Sequence, residues 1–338
     1  MRIRTIIQQA EPTLEDLYTA VFAATISQAH QGEWIIASVV PHPQTAAHLR
    51  ILEWLGLFWD EGPEPDDPNI NEYDIPNLTE ESLSQHDKTH AITHELVLSQ
   101  GQPLNHALET IQLPAIKADL SPQIILHEDY LPQAVWHTLL MIGWPQARQA
   151  QPLTSYQVKQ RFTMAQLADA ESTLTETVLR ATNKHYVNSL AADLLANRIK
   201  PYLEEWYGPM PSDNRWLNQL AATIRPYLSH FADAPDMAGW AFQDGWELTT
   251  EAETHLTKPE VRPLLVSLVA EVAHIVLLDQ ATAQTILSAL KKRFEASPVD
   301  ITILALLTGQ TACLFEVSAV MSTLGKAETL YRIGEILR

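Results

Sequence analysis

From Tyr130 to the C-terminus, apolar residues recur three and four apart in segment after segment, and no other feature of the chain constrains its fold as strongly. The spacing predicts helices over 131–142, 155–162, 164–168, 174–182, 191–206, 214–231, 258–278, 281–296, 301–307 and 315–337. No repeat of about 20 to 50 residues recurs, which argues against a helical solenoid. The second part of the chain is therefore expected to be one all-helical domain.

The first part reads differently. Residues 3–7, 14–28, 34–40 and 45–55 alternate strand, helix, strand, helix, the last closed by Gly56. In the first helix Leu14, Leu17, Tyr18, Val21 and Phe22 form one stripe toward a core. Residues 61–90, rich in Pro and acids, read as a loop or connection. Apolar pieces at 92–98 and 111–116 predict further strands of a small sheet, with a helix-like 104–109 between them.

Composition narrows the function. The 338 residues carry a net charge of −19, with 46% hydrophobic and 19% charged residues, which fits a globular chain rather than a disordered polyanion. No apolar run approaches the roughly 18 residues of a membrane span and no secretory leader is evident, so the expectation is a cytoplasmic protein without a membrane partner. The single cysteine, Cys313, excludes an internal disulfide or a Cys-rich zinc site. The charge opposes phosphate backbones, so any nucleic-acid contact must come from local basic patches.

Several constellations have a bland alternative. His86, His90 and His94 beside Glu95 would face one way on an unbroken helix and hold a divalent metal, but Ala91-Ile92-Thr93 reads as a strand entry. No metal is expected. His127-Glu128-Asp129, near His137, precede a helix with Pro132 in its first turn and read as N-terminal capping. Lys291-Lys292-Arg293 complement a helix C-terminus. With Gly at only 11 positions there is no phosphate-cradling fingerprint, and no serine sits in a nucleophile elbow. Neither a cofactor nor a catalytic residue is assigned.

The runs Gly32-Glu33-Trp34-Ile35-Ile36 and Trp54-Leu55-Gly56-Leu57-Phe58-Trp59-Asp60-Glu61-Gly62-Pro63 resemble bacterial glutamyl-tRNA synthetases. The likeness returns at Ile92-Thr93-His94, Tyr130-Leu131-Pro132, Ile142-Gly143-Trp144, Asn183-Lys184-His185-Tyr186-Val187, Leu307-Thr308-Gly309, Leu314-Phe315-Glu316 and Leu324-Gly325-Lys326. It implies an α+β chain: a reduced, Rossmann-like nucleotide-binding domain over 1–123, then a helical stem-contact and anticodon-binding-type domain over 124–338.

The resemblance stops where the family does chemistry. Its ATP site uses a HIGH-like helix start and a KMSKS-like loop, whose His and Lys groups stabilise developing phosphate charge. Here Glu11-Pro12-Thr13-Leu14-Glu15-Asp16-Leu17-Tyr18 has neither His nor Gly, and its acids repel triphosphate. The second motif's basic positions become Pro122 and Gln123, and the family's amino-acid-binding Arg is missing from the strand around Ala37, Val39 and Val40. The resemblance thus implies a truncated, catalytically inactive relative that binds tRNA. The implied contacts are Arg180, Asn183, Lys184, His185, Asn188 and Arg198, with Thr311, Ala312, Cys313 and Leu314. For Asn183 and Tyr186, helix-end packing is an equal alternative. The competing expectations are a protein-interaction or regulatory module without tRNA binding, pairing with an active synthetase or forming a homo-oligomer, and residual glutamate–tRNA ligase activity.

Overall fold

A computed structural model describes residues 2–7, 10–38, 40–66, 95–99, 109–113, 116–118, 122, 125, 130–149, 152–168, 172–210, 214–242, 246–294, 298–312 and 314–338. Their contacts separate into two units, Met1–Ser189 and Leu190–Arg338.

In the first unit, β1 (Arg2–Ile7), β2 (Glu33–Ser38), β3 (Glu95–Ser99) and β4 (Glu109–Gln112) form one sheet in the order β2-β1-β3-β4. β1 runs parallel to β2, with Ile3 opposite Trp34, and antiparallel to β3, with Ile3 opposite Leu98. The parallel pair needs a crossover, which α1 (Leu14–Ala29) supplies, as its sequence pattern predicts. The apolar stripe Leu14, Leu17, Tyr18, Val21 and Phe22 is buried, and so are Ala20, Ala23, Ala24 and Ile26, so α1 is a core helix on nearly every side.

α2 (His42–Trp54) ends in a two-bond turn: Gly56 N–H donates to Glu53 O at 2.9 Å and Leu57 N–H to Leu52 O at 2.9 Å. That closure places Gly56 at φ +72°, which glycine adopts without a Cβ penalty.

The Trp59–Pro63 run then returns along β2. Asp60 takes the Trp34 N–H on its carboxylate at 2.7 Å, Ile36 N–H donates to Glu61 O at 2.9 Å, and Gly62 lies against the Ile36 backbone, where a Cβ would collide. These residues cover the outer edge of β2, so the most specific stretch of the family resemblance does structural work here.

Helices α3 (Pro132–Gly143), α4 (Ser155–Arg161) and α5 (Glu176–Ser189) also belong to this unit. Phe22, Leu139, Trp144 and Phe162 share one buried cluster. Packing thus divides the chain between Ser189 and Leu190, whereas the helical pattern begins at about Tyr130 and the family resemblance implies a boundary at 123/124; periodicity announces a helix but not the core it joins. The strand predicted over 111–116 resolves into β4 and β5 (Ile116–Ala118), and β5 pairs in parallel with a short β6 (Ser172–Leu174) that the pattern did not predict. The helix expected over 164–168 is a single 3-10 turn, Met164–Gln166.

The second unit is helical: α6 (Ala192–Tyr207), α7 (Asn214–Ile224), α8 (Ala234–Ala238), α9 (Thr250–Leu256), α10 (Val261–His274), α11 (Gln280–Arg293), α12 (Val299–Thr308) and α13 (Val317–Leu337). The helix expected over 214–231 stops at Ile224, where Pro226 enters a 3-10 turn. α13 is interrupted at Gly325, whose φ 72°, ψ 179° is a glycine conformation. The break frees Lys326 to donate to Ala273 O at 2.8 Å and Ile275 O at 2.7 Å, capping the negative end of α10. Beyond it Arg332, with 0% exposure, bonds Glu328 and the carbonyls of Trp240 and Leu307 and lies 4.9 Å from the Trp246 ring centre. No helix among the described residues is long and apolar enough to cross a membrane.

Candidate nucleic-acid interface

The turn between α12 and α13 carries Thr311, Ala312 and Leu314 of the predicted contacts; Cys313 lies outside the described residues. It starts at Gly309, left-handed at φ 76°, ψ 5°, whose carbonyl accepts Thr249 N–H at 2.8 Å. The Glu247 carbonyl occupies the place a Cβ would take. At the far end the Phe315 ring sits 4.8 Å from Tyr227 and 5.5 Å from Trp240, centre to centre. The Tyr227 hydroxyl donates to Leu314 O, so the Leu314 backbone is held while its side chain stays 78% exposed.

Glu316 closes the turn. Its carboxylate accepts Ser318 Oγ and the side-chain amides of Gln284 at 3.3 Å and Gln280 at 3.1 Å. The hydrogen bonds from Ser318 and Gln284 hold it below the usual carboxylate range, so it is ionised at neutral pH. Beside it opens a cavity of about 550 Å³ with Leu287, Leu304 and Phe315 as apolar lining and Ser288 and Lys291 as donors. Lys291 also pairs with Asp300 at 2.8 Å. An apolar floor with donors and acceptors at its rim suits an unstacked base. Thr311 lines a second cavity, of about 370 Å³, with Thr254, His255 and Lys258. The His255 ring meets Thr302 Oγ1 at 2.9 Å, and burial lowers its pKa.

The predicted contacts in the first unit divide by helix face. On α5, Asn183 is buried at 0% exposure and accepts Leu131 N–H at 2.9 Å, satisfying a backbone donor at the start of α3. Tyr186 is buried as well; its hydroxyl donates to Leu153 O at 2.8 Å and accepts Leu153 N–H at 3.0 Å. Burial pushes its pKa up to about 12. For both residues the packing alternative describes the structure. His137, also fully buried, completes the network: its Nε2 faces Ala147 O at 2.9 Å and its Nδ1 faces the Tyr186 hydroxyl at 3.1 Å. Nε2 therefore carries the proton, and burial lowers the pKa of the ring.

The outer positions differ. Lys184 is half-exposed and His185 exposed, Asn188 bonds Lys184 O at 2.9 Å, and Arg180 pairs with Glu176 at 3.4 Å. Arg198 is exposed on α6 in the second unit. Of the other cations, Arg225 donates to Leu190 O at 3.0 Å and Lys291-Lys292-Arg293 end α11. Residues 130–189 hold five cations (Arg148, Lys159, Arg161, Arg180, Lys184) against three acids (Asp169, Glu171, Glu176), a net +2 within a chain of −19. Composition alone did not single out this stretch; a charge tally by segment finds it.

The start of α1 is closed by its own side chains. Thr13 Oγ1 accepts Asp16 N–H at 3.1 Å, and the Asp16 carboxylate accepts Thr13 N–H at 2.9 Å and its hydroxyl at 2.7 Å. Buried His48 places Nε2 at 3.6 Å from the same carboxylate. A helix start attracts anions, and here a resident anion already fills it. Among the described residues no group of three His, Cys, Asp or Glu could hold a metal; His86, His90, His94 and His127-Glu128-Asp129 lie outside them.

Residues 194–337 match the anticodon binding domain family. The chain is similar to the glutamate–tRNA ligase of Finegoldia magna, 23% identical over 223 residues covering 65% of this chain and 45% of the relative. It is similar too to that of Desulforamulus reducens, 25% identical over 221 residues covering 62% of this chain and 45% of the relative. The chain thus spans a little under half the length of these curated relatives. By fold it is similar to the crystal structure of a glutamate tRNA ligase from Elizabethkingia meningosepticum in complex with its amino acid, at TM-score 0.71 and 14% identity, over 100% of this chain and 99% of that one.

Proposed function

We infer from its membership of the glutamyl-tRNA synthetase family that this chain binds tRNA through its helical part and does not charge it. The observation that carries the reading is the turn from Gly309 to Glu316 inside the anticodon-binding domain: its backbone is fixed by Thr249 and Tyr227, and Ala312 and Leu314 are exposed beside a base-sized cavity. Lys184, His185 and Arg198 then supply phosphate or base-edge contacts, with Arg180 and Asn188 beside them, and the positive stretch 130–189 offsets the repulsion an acidic protein exerts on RNA. Buried Asn183 acts by holding α3.

In this reading residues 1–123 are a shortened, Rossmann-like nucleotide-binding remnant, 124–338 face the tRNA, and the protein works in the cytoplasm. Two features support inactivity. Asp16 occupies the helix start where a triphosphate would need donors, and Pro122 and Gln123 replace the cations that would meet pyrophosphate.

Filter binding of tRNA at low and moderate salt tests the binding. The expected result is retention that weakens steeply with salt, as counterion release requires. No retention at low salt refutes it. Glutamate-dependent ATP–pyrophosphate exchange tests the inactivity, and detectable exchange overturns that part alone.

A further inference from the structure

A further cavity of the second unit, of about 340 Å³, shares no lining residue with the Gly309–Glu316 turn. Separate parts of the chain bring Tyr207, Met210, Trp216, Phe242 and Glu328 to its walls. Tyr207 ends α6, Gly208 turns the chain at φ 77°, and the Met210 N–H then donates back to Glu204 at 3.3 Å. Trp216 stands on α7 and Glu328 on α13. The Gln219 amide joins these two helices by donating to Ser322 Oγ at 3.1 Å, and the Thr223 and Thr323 hydroxyls meet at 2.9 Å. Phe242 follows the 3-10 turn Gly239–Ala241.

The rings make two walls at nearly a right angle. Phe242 and Tyr207 stack at 4.1 Å with their planes 7° apart, and Trp216 stands at 79° to Phe242 with centres 5.5 Å apart. The Tyr207 hydroxyl donates to Pro235 O at 3.0 Å, which holds that ring in the stack. Among the described lining residues Glu328 carries the only charge. Arg332 Nε donates to one of its oxygens at 2.7 Å and fixes the carboxylate. Arg332 itself is fully buried, with Nη1 on the carbonyls of Trp240 and Leu307, so its own charge stays behind the wall. Burial and the nearby Asp236 carboxylate both raise the Tyr207 pKa, which places a second negative group close to the stack.

We propose that this cavity binds a small quaternary ammonium cation of the choline class, free in solution. The negative faces of aromatic rings attract such a cation, and a carboxylate adds its charge. A primary ammonium or a guanidinium would bring N–H groups that need acceptors, which the rings do not offer; a fully methylated nitrogen needs none. No Lys or Arg among the described lining residues could meet a phosphate or a carboxylate, so the site does not suit a nucleotide or an organic acid. A chain of net charge −19 also draws cations toward it. The volume falls within the roughly 300–1,000 Å³ of small-molecule sites. Tyr207, Met210, Trp216, Phe242 and Glu328 are all half-buried, a recess that a free molecule enters and a bilayer surface does not.

Isothermal titration of the full chain with choline at about 0.05 M salt tests the assignment, with the uncharged isostere that has carbon in place of the nitrogen as control. A dissociation constant of about 1 mM or tighter is expected for choline, and binding at least about fivefold weaker for the isostere. Trp216→Leu removes one wall, and Met210→Lys sets a like charge in the cavity. Each is expected to weaken choline binding at least about fivefold with an unchanged circular dichroism spectrum. Absence of choline binding overturns the proposal, as do equal affinities for choline and its isostere, or an affinity that neither folded variant lowers. Pelleting of the chain with phosphatidylcholine vesicles overturns the assignment to a free molecule. Filter binding of tRNA is a separate measurement on separate residues, so either reading can fail without the other.

Discussion

Gly309→Ala tests how firmly the candidate turn is held. A left-handed φ costs alanine roughly 1 kcal/mol. At φ +76° the added methyl also meets the Glu247 carbonyl carbon and oxygen, which are backbone and cannot swing aside like a flexible side chain. The segments must separate, at the expense of the 2.8 Å bond from Thr249 N–H to Gly309 O, worth about 1 kcal/mol, and of packing along the 247–249 segment. The two quantified costs add to about 2 kcal/mol, and the lost packing raises the total further. Gly56→Ala is the control: φ is +72°, but nothing lies within 4 Å of the added carbon, so only the conformational cost of about 1 kcal/mol applies. Urea unfolding followed by circular dichroism and tryptophan fluorescence measures both, each on the transition of its own unit. Trp246, whose indole donates to Leu306 O at 3.1 Å, reports locally on the α12 end. If Gly309→Ala costs no more than Gly56→Ala, the collision argument and the claim of a rigid turn both fail.

Two further outcomes follow from the buried network of the first unit. Burial sets the folded pKa of His137 below the unfolded value of about 6.5, so the unfolded chain takes up the proton first. Its contribution is fully present above about pH 6.5 and is lost as pH falls toward the depressed folded value; a His137→Gln variant should flatten that limb of the stability–pH curve, and an unchanged limb contradicts the assignment. Asn183→Ala strands the Leu131 N–H and should cost about 1–3 kcal/mol in denaturant titrations. With Asn183 buried, tRNA affinity per folded molecule should stay within about twofold of wild type, whereas a selective loss of affinity would return Asn183 to the contact surface.

Much was legible in the linear pattern because it depends on neighbours along the chain. The α1 stripe, the Gly56 stop, the parallel strand–helix–strand opening and most helices of the second unit follow from spacing and capping alone. So did the change of character from sheet to helix. The pattern could not say that α3, α4 and α5 join the N-terminal core, that Asn183 and Tyr186 turn inward, or that the helix expected over 315–337 breaks at Gly325 to release Lys326. Those outcomes are decided by partners far away in sequence, such as Leu131 for Asn183 and Ala273 for Lys326. Local periodicity selects the kind of element because a helix or strand satisfies its own backbone. Which face is buried, and which asparagine or leucine remains for a ligand, depends on where another segment arrives.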